Sequence, residues 1–185
     1  AAGRLLEMGY ELDVHNLLRH IQTNEPHINL LKARSASAVG DWAGSTRILQ
    51  SLAAKDPDNH GIWKSLSQAA ARSRDYPVAI SAFVNYLALN PDNPDDLLAH
   101  ADLLLIARDI EKLKQFMSQN QQRLPDSAKA HLLQAEYYRL LGDYETSLGH
   151  VQSSIELEPN SGEAWQLKLD LVPTAQRLDV GMRCE

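Results

Sequence analysis

Small and bulky apolar positions recur along this chain with a period far longer than any single helix or strand. Small residues stand at Ser67, Ala101 and Ala135, 34 residues apart, and small residues also occupy Ala79 and Ser147. Phe83, Met117 and Val151 keep the same step. Polar turns interrupt on the same beat, at Gly40-Asp41-Trp42, Arg74-Asp75-Tyr76, Arg108-Asp109-Ile110 and Gly142-Asp143-Tyr144. Pro57, Pro91, Pro125 and Pro159 close the successive copies. Self-similarity of this length predicts a stack of supersecondary units, each of which buries its apolar face against the next.

Each copy parses into two helices. Gly142 suits the left-handed conformation that ends a helix, and Asp143 can cap the next one by accepting a backbone N–H. The closing proline lacks an N–H and clashes with the preceding turn, so it ends the second helix. Asn93 with Pro94, and Ser161, are expected to start the helices that follow, with Asp95 and Asp96 placed favourably on the helix dipole.

In this frame the pattern resembles the tetratricopeptide repeat. The unit His60 to Asn93 carries the signature on Trp63, Leu66, Ser67, Tyr76, Ala79, Phe83 and Pro91; the unit Ala128 to Ser161 carries it on Ala135, Tyr138, Gly142, Tyr144, Ser147, Val151 and Pro159. The resemblance implies an all-α, right-handed superhelical α-solenoid of antiparallel helix pairs. Its expected divisions are a partial unit over 1–25, repeats over 26–59 and 60–93, a degenerate repeat over 94–127, a repeat over 128–161, and a partial helix with a tail over 162–185. The AAGRLLEMG stretch reads as the end of one helix, and the residues after Gly9-Tyr10 as its partner. Departures mark weak points: Asn29 and Lys32 at normally apolar sites, Leu113 and Asn120 at small ones, and the polar run Ser118 to Gln122, which predicts a poorly packed or bent helix. Pro173 is expected to stop the last helix. The chain opens and closes within a unit, which suggests a segment of a longer protein.

Composition narrows the chemistry. The net charge of −6 disfavours nucleic acid and anionic membrane, and no apolar run reaches the length of a membrane span. The single cysteine, Cys184, excludes an internal disulfide framework and leaves cytoplasm, the favoured compartment, and periplasm both open. The seven histidines are scattered, without the i,i+4 spacing of a helical zinc site, so no metal or other cofactor is expected. For His100 and His131 the position between units suggests a pH-sensitive packing role. Phosphate-binding loops and nucleophile elbows are absent, and the expectation is a protein that is not an enzyme.

The resemblance implies that the first helix of each unit lines a groove. Counting by helical period from the buried positions places Arg34, Lys64, Gln68 and Arg72 there in the early units, Leu98, Asp102, Leu105 and Ile106 in the next, and Lys129, Leu132, Leu133, Glu136, Arg139, Leu140, Gln166 and Asp170 in the last. The expected function is a scaffold that binds a protein or peptide segment in this groove. The alternative is the non-catalytic array of a larger enzyme, such as a bacterial sulfotransferase, glycosyltransferase or periplasmic peptidase. Self-association through the apolar patch is a third reading. The two-carboxylate clamp for chaperone tails would fall on Lys64, Gln68, Ala99, Lys129 and Leu133; two of the five positions match, and the missing arginine argues against that ligand.

Overall fold

A computed structural model describes residues 11–90 and 93–182. The AAGRLLEMG stretch lies outside the described residues. All the regular structure among those described is helical: α1 (Glu11–Leu18), α2 (Pro26–Ala38), α3 (Trp42–Lys55), α4 (His60–Arg72), α5 (Tyr76–Leu89), α6 (Pro94–Ile106), α7 (Ile110–Asn120), α8 (Ala128–Leu141), α9 (Tyr144–Leu157) and α10 (Gly162–Met182). Consecutive helices pack in pairs, α2 on α3, α4 on α5, α6 on α7 and α8 on α9, and the chain divides into two compact units at Asn93–Pro94.

Local sequence explains the turns inside the pairs. Gly40, Arg74, Arg108 and Gly142 all adopt positive φ, between 56° and 82°. The N–H of each following aspartate reaches back over the turn: Asp41 to the Ala36 carbonyl, Asp75 to Ala70, Asp109 to Leu104 and Asp143 to Tyr138. This is the Schellman arrangement. The same aspartates then cap the next helix, their side chains accepting from Gly44, Val78, Lys112 and Thr146 N–H. Two arginines therefore hold a conformation that costs a side-chain-bearing residue roughly 1–2 kcal/mol. The link between pairs has its own repeating cap: Asn59, Ser127 and Ser161 each accept from the N–H three residues on.

The small positions allow close helix contact and carry a hydrogen bond. In the α4–α5 pair the Ser67 hydroxyl donates to the Ala79 carbonyl at 2.9 Å; in α8–α9 the roles exchange, and Ser147 donates to Ala135 at 2.7 Å. All four residues are buried. In the first unit the core gathers Ala33, Leu49, Leu52, Ile62, Leu66 and Ala82, and in the second Ala135, Val151, Ile155, Ala164, Leu167 and Leu171.

One sequence expectation takes a definite form, and another needs correction. The degenerate pair α6–α7 is the least closely packed of the four, as its sequence suggests, although Leu113, Met117 and Ala101 are fully buried. What changes is length. Helix α7 stops after 11 residues and tightens into a 3-10 turn over Gln121–Arg123, where the Asn120 amide donates to the Phe116 carbonyl. Pro173 does not end the last helix, since α10 runs on to Met182. Proline removes one backbone donor, and the turns on either side can continue past it.

Candidate functional site

Within the second unit, the first helices of two successive pairs and the helix that follows them converge on one cleft of about 500 Å³. Helix α6 contributes Asp102 and Leu105, helix α8 Lys129, Leu132, Leu133 and Glu136, and helix α10 Glu163, Gln166, Leu167 and Asp170. The positions on each helix are three or four residues apart, which is the spacing of a single helical face. Leu133 and Leu167 are buried and form the floor, while Leu105 and Leu132 are half-buried and keep apolar surface in the cleft.

The rim is charged and mostly acidic: four carboxylates, Asp102, Glu136, Glu163 and Asp170, stand against one ammonium, Lys129. Two of the acids have cationic partners. Lys129 meets Asp102 at 3.1 Å, and Arg139, just off the cleft, meets Glu136 at 2.7 Å. Asp170 accepts a hydrogen bond from Gln166 at 3.0 Å, and Glu163 is exposed at the rim. Exposed pairs of this type contribute little to stability, so the rim is available to a ligand.

Eight of the residues placed in the groove from sequence, Asp102, Leu105, Lys129, Leu132, Leu133, Glu136, Gln166 and Asp170, line one cleft, with Arg139 at its edge. Leu98 sits elsewhere: it is 6% exposed and belongs to the packing around α6. Glu163 and Leu167 line the cleft beyond those expected from sequence, although they fall on the same face of α10 as Gln166 and Asp170. In the first unit, Arg34 and Gln68 line a separate cleft of about 700 Å³ with Leu30, Trp42, Asn59 and Ser65. Lys64 lies over the Tyr86 ring at 4.9 Å and Arg72 over the Trp42 ring at 5.9 Å, both cation–π contacts within the unit.

The histidines serve packing in the second unit. His100 is buried edge-on to Phe116, and burial holds its imidazole down at about 4. His131 occupies the position held by Trp63 and Trp165 in other units. Those indoles donate to the Pro57 and Pro159 carbonyls at 2.7 and 2.9 Å, whereas His131 turns one ring nitrogen to Asp126 at 3.0 Å and the other to His150 at 3.1 Å. His150 stacks on Tyr138, and burial, then the neighbouring His131, push its pKa down. Among the described residues no group of three or more histidine, cysteine, aspartate or glutamate side chains is placed to hold a metal. No helix among them is long and apolar enough to cross a membrane.

Comparison with known proteins supports the same architecture. Residues 30–96 match the family model for the tetratricopeptide repeat. No curated protein matches the chain by sequence. Among solved structures, the chain is similar to MamA (residues 41 to the end) from Desulfovibrio magneticus RS-1, with a TM-score of 0.72 at 16% identity over 87% of this chain and 93% of that one. MamA of strain MSR-1 gives 0.71 at 18% identity, covering 87% and 94%. YrrB, described as a TPR protein with an unusual peptide-binding site, gives 0.75 at 10% identity, covering 90% and 88%. Residues 30–96 thus carry the tetratricopeptide repeat, and the chain shares the all-helical, paired-helix fold of these solved structures.

Proposed function

We propose that the protein is a binding scaffold that holds a segment of another protein in the cleft between α6, α8 and α10. The observation that carries the reading is the convergence of half-buried leucines and an acidic rim from these three helices. A segment that presents an apolar side chain to Leu105 and Leu132, and a lysine or arginine to Glu163 and Asp170, would match both surfaces. Recognition would then divide in the usual way, with affinity from a buried anchor and orientation from the charged rim. The peptide-binding site of YrrB adds a precedent on the same fold. The role is one of assembly, without a catalytic step.

Selection of a random peptide display library against the whole chain tests the reading. Enriched sequences should pair an apolar residue with lysine or arginine, and the Glu163→Lys/Asp170→Lys variant should lose them. Enrichment that is unchanged on the variant would place binding elsewhere; failure to enrich any sequence would contradict the scaffold reading itself.

A further inference from the structure

The first unit contains a second cleft, of about 650 Å³, between α1, α2 and α3. Four cations line it, Arg19, Lys32, Arg47 and Lys55, against the single carboxylate of Asp41. That carboxylate is already engaged, since it accepts the Gly44 N–H at 2.9 Å as the helix cap. In a chain of net charge −6, such a surplus of cations around one concavity is a strong local reversal.

The repeat frame shows how the cleft arises. Asn29 and Lys32 stand where the next unit has Trp63 and Leu66. Trp63 is half-buried and Leu66 is 2% exposed, and both help fill the core of their unit. At the equivalent place in α2, an amide and an ammonium replace an indole and an isobutyl group. They remain half-buried, the Asn29 amide donating to the Thr23 carbonyl and the Lys32 ammonium to that of Ile21. Polar groups at core positions forfeit packing energy, and such local violations tend to mark functional sites. Across the cleft, Arg47, Ser51 and Lys55 form one stripe at i, i+4 and i+8 on α3.

We propose that this cleft is a separate binding site for an acidic peptide segment. The four cations would take aspartate or glutamate side chains, with Arg19 and Arg47 offering two-pronged contacts. The Asn24 and Asn29 amides and the Ser51 hydroxyl, which line the same wall, supply donors and acceptors for the backbone of an extended chain. No tyrosine, tryptophan or phenylalanine is among the described residues lining the cleft, so it lacks the stacking platform that single-stranded nucleic acid uses.

The test is fluorescence anisotropy on the whole chain with three labelled probes: a glutamate- and aspartate-rich decapeptide, its lysine-rich counterpart, and a single-stranded oligonucleotide of matching charge. The acidic peptide should bind, and weaken as salt rises from about 0.05 to about 0.3 M. Arg47→Gln/Lys55→Gln should weaken it by about tenfold or more. Lys32→Met, which restores an apolar residue at the repeat position, should also weaken binding while leaving the melting temperature unchanged or higher. Glu163→Lys in the other unit should have no effect. Absence of acidic-peptide binding, or binding indifferent to the α3 pair, would overturn the proposal. Equal or tighter binding of the oligonucleotide would overturn it in favour of a nucleic-acid site.

Discussion

The two units use the same helix pairs, caps and small-residue contacts, yet present opposite surfaces. In the first, polar residues at core positions of α2 leave a cleft with four cations and one carboxylate. In the second, the core positions are filled and the cleft lies instead on the first-helix face, with four carboxylates and one cation above a leucine floor. The difference teaches that the repeat dictates where clefts can form, whereas a few substitutions on one helix face determine what they attract. A third contrast is buried histidine. The second unit buries His100 and half-buries His131 and His150, while in the first unit His15 is half-buried at the cation-lined cleft.

Acid should break this comparison most strongly. His100 is held at about 4 against an ordinary value near 6.5, so the unfolded chain binds its proton first. The stability contributed by the neutral ring is complete above pH 6.5 and is lost as pH falls toward 4, up to about 3 kcal/mol. His150, also lowered, adds in the same direction. Hydrogen exchange at pH 7 and pH 4.5 should show the helices from Pro94 onward losing protection ahead of α2 to α5. His100→Leu should remove most of that difference.

Overpacking comes next. Ala79 and Ala101 have no exposed surface where two helices meet, so Ala79→Leu and Ala101→Leu should each cost about 1–3 kcal/mol in denaturant melts. A smaller effect of opposite sign is expected at the turns. Arg74→Gly and Arg108→Gly should each stabilise by about 1 kcal/mol because their φ is positive, while Gly142→Ala should destabilise by a similar amount. On stability, the smallest effect belongs to Glu163→Lys and Asp170→Lys, expected within about 0.5 kcal/mol because both residues are exposed. Their influence should be on binding, and a large loss of stability would mean that the acidic rim is structural.

Much of the fold was legible because its determinants are local. Asp143 and Ser161 could be read as caps from neighbouring residues, and the 34-residue step carried the same geometry to Asp41, Asp75 and Asp109. The step also explains why Arg74 and Arg108 adopt the conformation of Gly40 and Gly142, although no arginine favours it alone. The site was legible in part. Helical period gives the angle of a side chain about its own axis, which was enough to put Asp102, Leu105, Lys129, Leu132, Leu133, Glu136, Gln166 and Asp170 on cleft-lining faces. It does not give the tilt of one helix on the next, and so Leu98, on the expected face, is covered by packing. Ion pairs such as Lys129 with Asp102, and the seating of Arg72 over Trp42, join residues 27 and 30 positions apart and have no local signature. Lys32 was visible as a misfit in the repeat, but the cleft around it needed three helices in place.

The central claim is that the cleft between α6, α8 and α10 receives a segment of another protein. Leucine-methyl NMR on the whole chain, titrated with a short peptide alternating leucine and lysine, tests it directly. Leu105 and Leu132 should shift progressively and saturate, while the exposed Leu12 and Leu89 of the first unit stay in place. Shifts confined to the first unit, or none at Leu105 and Leu132 at saturating peptide, would contradict it.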